Sequence, residues 1–238
     1  MIEINDLTVR FGGVTPLDGV TVTFPGGTCG LIGPNGAGKT TFLNVLSGFV
    51  ATHGGHVRVF GDDLLAMAPH RRARWGLRRT FQTEQAIEAL SVYDNVAMVH
   101  EHSGLRRATR RQDVLGAIEF AGLRVDPKAQ VGTLGARDRR LVEIARTVVG
   151  GPRVVLLDEP AAGLTEDETQ HVGAMIQRIP EELGALVILV DHDMSLVSAC
   201  CQITAVLDFG RLIASGPTAD VLRNSHVMRA YLGTEEQV

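Results

Sequence analysis

Two periods of hydrophobic and polar positions alternate along the chain. Ile2–Phe11 and Val20–Phe24 alternate apolar with polar side chains, the period of strands with one buried face, and the Gly12-Gly13 pair reads as the turn between them. Thr28–Ile32 (TCGLI) reads as a short buried strand, and Gly54–Gly61 (GGHVRVFG) as another bounded by glycines. From Thr41 to Gly48 the apolar residues fall at helical spacing, with Gly48 where a helix would stop. Pro69 opens an Arg-rich stretch (PHRRARWGLRR) whose Arg71, Arg72, Arg74, Arg78 and Arg79 read as a solvated helical face. From about Ser91 to Gly150 the strand signal disappears. Ser91–His102, Thr109–Ala121 and Ala136–Val149 read there as helices, an all-helical lobe inserted into the rest. Strand signals return at Arg153–Leu157, Leu186–Val190 and Ile203–Leu207, interleaved with helices near Glu166–Arg178 and Met194–Cys201. Thr218–Arg223 and His226–Leu232 read as short closing helices. Strands alternating with helices predict an α/β core with a parallel sheet.

Composition narrows the class. With 238 residues, 45% hydrophobic and 21% charged, the chain fits a soluble globular protein built as one large domain or a core with a smaller lobe. No apolar run reaches the roughly 18 residues of a membrane helix. The opening MIEINDLTVRF lacks the regions of a signal peptide, so the expected location is the cytosol. A net charge of −4 argues against nucleic acid as the main partner. Cys29, Cys200 and Cys201 show neither metal-ligand nor disulfide spacing and read as reduced core residues.

Only two of the 23 basic residues are lysines, and one of them, Lys39, lies in the stretch that carries the chemistry. Gly33-Pro34-Asn35-Gly36-Ala37-Gly38-Lys39-Thr40-Thr41 matches the phosphate-binding pattern G-x-x-x-x-G-K-[ST] at every fixed position, between a strand and a helix. Such a loop turns backbone N–H groups onto phosphate oxygens, with the helix N-terminus adding its positive end. Lys39 would reach the β- and γ-phosphates of ATP and Thr40 would ligate Mg²⁺. Val154–Leu157 then delivers Asp158 and Glu159 to a strand end, where ligands bind in open α/β sheets. Asp158 would hold Mg²⁺ through water and Glu159 would polarise the water attacking the γ-phosphate. His192 follows the next core strand and would stand at the same edge, within reach of that phosphate. Gln82 suits either a plain loop position or a Mg²⁺ ligand that senses the γ-phosphate, and Phe11 either a core position or a ring stacked on a base.

In this order the motifs resemble the ATP-binding subunits of ABC transporters over essentially the whole chain. The matching stretches are GPNGAGKTT (Walker A), RTFQ (Q-loop), RRLVEIAR in the signature helix, VVLLDEP (Walker B), AAGL (D-loop) and DHD (switch histidine). The wording of GLIGPNGAGKTTFLNVLSGF, PHRRARWGLRRTFQ, LLDEPAAGL and VLDFGRLIASGP is similar to the subfamily serving branched-chain amino acid importers, with urea and related solute importers as near neighbours. The resemblance implies a P-loop NTPase (RecA-like) core, a small antiparallel β lobe and an inserted helical lobe in a single ATPase domain. Residues 1–82 and 151–238 would form the core with the β lobe, and about 83–150 the helical lobe. It implies Phe11 as the adenine-stacking aromatic, Gln82 as the Q-loop glutamine, Glu159 as the catalytic base and His192 as the switch histidine. It further implies two such subunits closing head to tail over ATP, on membrane permease subunits at the inner face of the cell membrane. An extracytoplasmic solute-binding protein would contribute indirectly.

The signature departs from the family pattern L-S-G-G-Q. Counted back from Glu159 it reads Leu134-Gly135-Ala136-Arg137-Asp138, without the serine hydroxyl and with Arg137 for the second glycine. Either Arg137 swings aside or meets phosphate itself, leaving the helix N-terminus to act, or the site it completes is crippled. A complete Walker A/B set beside an eroded signature leads to the expectation of a non-identical second ATPase subunit, a homodimer being the alternative. Thr165 also replaces the D-loop aspartate, and Asp191 stands where the subfamily often has Glu. Two other readings are a regulatory subunit with little hydrolysis and a soluble ATPase acting on ribosomes or DNA. The latter relatives usually carry two ATPase domains or a long coiled-coil insertion.

Overall fold

The structure is a computed structural model that describes residues 1–232. The two N-terminal runs form a hairpin of β1 (Ile2–Phe11) and β2 (Val14–Phe24). Its second strand starts at Val14 rather than Val20, because irregular pairing with β1 carries it through a stretch in which only Leu17 is buried. β3 (Thr28–Ile32) leads through the glycine loop into α1 (Lys39–Ser47). β4 (Gly54–Val59) pairs back on β1, and the two-residue β5 (Asp62–Asp63) completes an antiparallel sheet ordered β2-β1-β4-β5. After α2 (Pro69–Trp75) and β6 (Leu77–Arg79) come α3 (Val92–His102), α4 (Arg110–Phe120) and α5 (Ala136–Val148), packed on one another. β7 (Val154–Asp158), α6 (Glu166–Leu183), β8 (Leu186–Val190), α7 (Met194–Cys200), β9 (Ile203–Asp208) and β10 (Arg211–Pro217) follow. They complete a six-stranded sheet ordered β10-β9-β3-β8-β7-β6, parallel except for β10. α8 (Thr218–Leu222) and α9 (Ser225–Leu232) close the described chain. Among the described residues no helix is long and apolar enough to cross a membrane.

The period of two along a strand sends alternate side chains of the parallel sheet into two cores. Val155 and Leu157 of β7, with Val187 and Leu189 of β8, join the cluster built on α3 to α7. Val154, Leu156, Leu186, Ile188 and Val190 join the one shared with α1 and the antiparallel sheet. Because both faces are covered, these strands read as unbroken apolar runs. The three cysteines are buried and free.

The Arg-rich stretch departs from a solvated face. Arg71 and Arg74 are exposed, but Arg72 and Arg78 are buried and the Arg79 side chain is almost wholly so. Backbone carbonyls are the reason. Arg72 donates to Val45 O (2.5 Å) and Leu46 O (2.9 Å) in the last turn of α1, and to Met67 O (2.9 Å). A guanidinium fork suits the orphan carbonyls of a helix C-terminus, where the dipole also favours a cation. Arg78 likewise donates to Ala73 O. α6 outruns its expected end at Arg178, because the buried stripe Val172, Met175, Ile176 and Ile179 carries it past Pro180 to Leu183. Gly184, at φ 66°, ends it there.

Arg72→Met would remove the side-chain donor to Leu46 O and Met67 O and one of the two donors to Val45 O, which also accepts from Gly48 N–H. The expected cost is about 2–4 kcal/mol, read as a lower urea midpoint at unchanged slope. An unchanged midpoint would mean that the side chain only fills space.

Candidate functional site

Two glycines of the loop after β3 are required by close backbone approach. Gly33 has φ 150° and Gly38 φ 106°; a Cβ on the first would collide with Leu207 O and on the second with Pro16 O. Phe42 N–H donates to Gly38 O (2.9 Å), opening α1. The first turn of α1 carries no acidic residue and Gly38 supplies no side-chain cap, so the positive end of the helix faces the loop unanswered. That is an anion site in waiting. Lys39 is buried and turned back on the loop, its Nζ donating to Gly33 O (2.5 Å) and Pro34 O (3.0 Å). Burial lowers its pKa, with Glu159 and Asp158 opposing.

The acids stand where β7 ends. Asp158 is buried and its Oδ2 accepts from Arg79 Nη2 (2.9 Å). Burial raises its pKa, and the Arg79 hydrogen bond opposes that shift. Glu159 adopts φ 49°, a left-handed conformation costing roughly 1–2 kcal/mol in an L-residue. Its N–H donates to Val190 O (2.8 Å), which holds the turn. The reversal sends the second carboxylate off the strand into the cleft beside the loop. Thr80 ties β6 to this corner, its N–H donating to Leu156 O and its Oγ1 accepting from Asp158 N–H, both at 2.9 Å. Gln82 Nε2 then donates to Glu159 Oε2 (3.3 Å). From the other side, His192 Nδ1 lies 3.9 Å from Glu159 Oε1, with 68% of its side chain exposed. Asp191 braces that turn, its Oδ1 accepting from His192 N–H (2.8 Å) and Asp193 N–H (3.0 Å).

A cleft of about 280 Å³ is lined by Gly36, Lys39, Thr40, Gln82, Asp158 and Glu159, with Asn35, Ala37, Gly38 and Thr41 also on its wall. A second, of about 380 Å³, shares Asn35, Gln82 and Glu159 and adds Gly33, Pro34, His192 and Tyr231. The first gathers a hydroxyl, two carboxylates and an amide. Hard oxygen donors of this kind fit Mg²⁺ that fills its other positions with phosphate and water. The structure therefore brings together every residue expected here except Phe11, which stands 53% exposed at the tip of the β1–β2 hairpin and lines neither cleft. Its exposure removes the core reading. Tyr231 was not anticipated. Burial pushes its pKa up to about 12, opposed by a hydrogen bond with the Gly33 backbone. Nothing in the sequence near Tyr231 announces that α9 reaches the loop.

The signature stretch lies elsewhere. Gly135 caps α5 with open space around it, and Arg137 is exposed in the first turn. Thr165 caps α6, its N–H donating to Glu168 Oε2 (3.0 Å). The segment after Gln82 is tied to α5. Glu84 Oε2 lies 3.2 Å from Arg139 Nε, and Gln85 N–H donates to the buried Glu143 Oε1 (3.0 Å).

Known proteins resemble this chain in sequence and in fold. Residues 17–162 match the ABC transporter family, and residues 211–237 match the branched-chain amino acid ATP-binding cassette transporter family. The high-affinity branched-chain amino acid transport ATP-binding protein BraF of Pseudomonas aeruginosa is 34% identical over 98% of both chains. LivG of Escherichia coli, which bears the same description, is also 34% identical at the same coverage. The methionine import ATP-binding protein MetN 1 of Burkholderia pseudomallei is 34% identical over 98% of this chain and 70% of its own length. In fold, the chain superposes on the ADP conformation of an ATP-binding cassette of an ABC transporter with a TM-score of 0.87, at 24% identity over 98% of both chains. A dimeric bacterial ABC transporter cassette gives 0.81 at 20% identity, over 92% of this chain and 99% of that one. A phosphate loop after β3, two carboxylates where β7 ends and a histidine after β8, the strand between them, in a chain so matched, make one conclusion: this protein belongs to the ABC transporter family of ATP-binding proteins.

Proposed function

We propose that the chain is the ATP-hydrolysing subunit of an ABC importer for branched-chain or other amino acids, acting through separate membrane permease subunits. The convergence of Lys39, Asp158, Glu159 and Gln82 on the cleft at the N-terminus of α1, with His192 on the neighbouring cleft that shares Gln82 and Glu159, carries this reading. The descriptions of BraF, LivG and MetN support the solute class. Phosphates entering the loop would meet the backbone N–H groups of residues 35–41 and the N-terminus of α1. Lys39 would exchange two backbone carbonyls for the β- and γ-phosphates. Thr40, Asp158 and Gln82 would hold Mg²⁺, which neutralises charge on the phosphate oxygens. Glu159 would orient the attacking water and take up its proton. His192, exposed and beside Glu159, would bond the γ-phosphate, and Phe11 would stack on the adenine.

A second ATPase subunit would cover the γ-phosphate with its signature. Arg137, exposed at the head of α5, leaves that surface charged and without the serine hydroxyl, which favours a non-identical partner with an intact signature. The same observation supports a second reading, a regulatory subunit with little turnover. The groove beside Gln82, whose segment is tied to α5, is the surface proposed for permease docking at the inner face of the membrane.

Glu159→Gln separates binding from chemistry. ATP affinity should stay within about threefold of the parent while turnover falls at least about 100-fold, measured by calorimetry and phosphate release. Turnover near the parent level would remove Glu159 from the role of base. For the partner, the chain alone should hydrolyse ATP slowly and Arg137→Gly should raise its rate. Fast hydrolysis by the isolated chain, unaltered by Arg137→Gly, would dismiss the non-identical partner and the regulatory reading together.

A further inference from the structure

Arg79 lies beside the acids, and the proposed chemistry has no use for it. Its guanidinium spans two elements: Nη2 donates to Asp158 Oδ2 (2.9 Å), and Nη1 to Asn44 Oδ1 (2.6 Å) and more weakly to Ser47 Oγ (3.4 Å) on α1. Both members of the ion pair keep only 4% of their side chains exposed. The plane of Arg79 also lies against Phe81, with Cζ 4.9 Å from the ring centroid. A buried ion pair is a poor device for stability, because desolvation cancels most of its attraction. Nor is it needed to dock β6. That strand already pairs with β7 through the backbone, and Thr80 adds two further hydrogen bonds. Its placement has another consequence. Asp158 Oδ2 is occupied, whereas Oδ1 accepts no hydrogen bond from the described chain, and Asp158 lines the cleft with Thr40.

We infer that Arg79 is a positioning residue for the metal site: by clamping Asp158 Oδ2 to α1 through Asn44 it presents Oδ1 toward Thr40 and keeps the carboxylate off Lys39. This rests on the proposed Mg²⁺-ATP reading of the cleft. Two flexible side chains become one fixed unit, because a planar fork can hold a carboxylate and an amide at once. Lys39 is thereby left to the phosphates and Asp158 to the metal. An ammonium in the same place would keep the charge but not the geometry.

The test reads metal dependence rather than turnover. Affinity for a non-hydrolysable ATP analogue is measured by calorimetry with Mg²⁺ and with a chelator, for the parent chain, Arg79→Met and Arg79→Lys, with thermal melts to establish folding. The ratio of the two affinities should fall at least about tenfold in Arg79→Met, the range for residues that orient a metal ligand, while metal-free affinity changes less than about threefold. Arg79→Lys should recover at most part of the ratio, and it answers alone if Arg79→Met does not fold. A parent-sized ratio in either folded variant overturns the inference. An equal loss of metal-free affinity also overturns it, since a merely structural residue would act that way. Absence of any metal effect in the parent chain would instead bring down the Mg²⁺ reading of the cleft, and this inference with it.

Discussion

The register in which β7 lies between β6 and β8 is the constraint on which the site depends. Asp158 pairs with Val190, so Glu159 leaves the sheet beside Asp191 and His192. Arg79 pairs with Leu156, so Thr80 and Gln82 leave it beside the same carboxylates. Backbone hydrogen bonding fixes this alignment, and the two cores enforce it. A one-residue slip of β7 would exchange Val155 and Leu157 with Val154 and Leu156 across the sheet. Packing that spans the molecule thus holds Gln82, Glu159 and His192, from three strand ends, at contact distances of 3.3–3.9 Å.

Charge at this corner is balanced before any nucleotide arrives. Lys39 rests on two carbonyls of its own loop, and Arg79 on Asp158. Burial pulls Lys39 toward its neutral form and Asp158 toward its protonated form, and each is held back by opposite charge nearby. A polyanion with a divalent cation brings both signs at once. In the proposed reading Lys39 would trade its two carbonyls for anionic oxygens while the Arg79–Asp158 pair stays in place, so neither charge would be left buried alone.

The positions of the loop and of the strand-end acids were legible in the sequence; the side-chain contacts around them were not. The glycine loop depends on local backbone geometry, and the apolar runs ending in Asp158-Glu159 and Asp191-His192 carry their own placement. Arg72 and Arg79 were misread because their partners, Val45 and Leu46 for one and Asn44 and Asp158 for the other, come from distant parts of the chain. Helical spacing alone makes such arginines look solvated. β6 and β10 gave little signal because edge strands are short or half-exposed. The helix read near Glu166–Arg178 runs on to Leu183 because the buried stripe through Ile179 carries it past Pro180. Tyr231 reaches the loop only through the docking of α9, which no local pattern encodes.

The tether between Gln82 and α5 has a consequence in linkage. Gln82 meets Glu159, while Glu84 and Gln85 meet Arg139 and Glu143 on the helix that Gly135 caps. Any free energy that a nucleotide uses to displace this segment is, by reciprocity, available in reverse. A membrane partner that prefers one position of the segment must change nucleotide affinity by the same factor by which nucleotide changes its own. If a permease docks beside Gln82 as proposed, the short run from Gln82 to Gln85 would carry that coupling to the phosphate site.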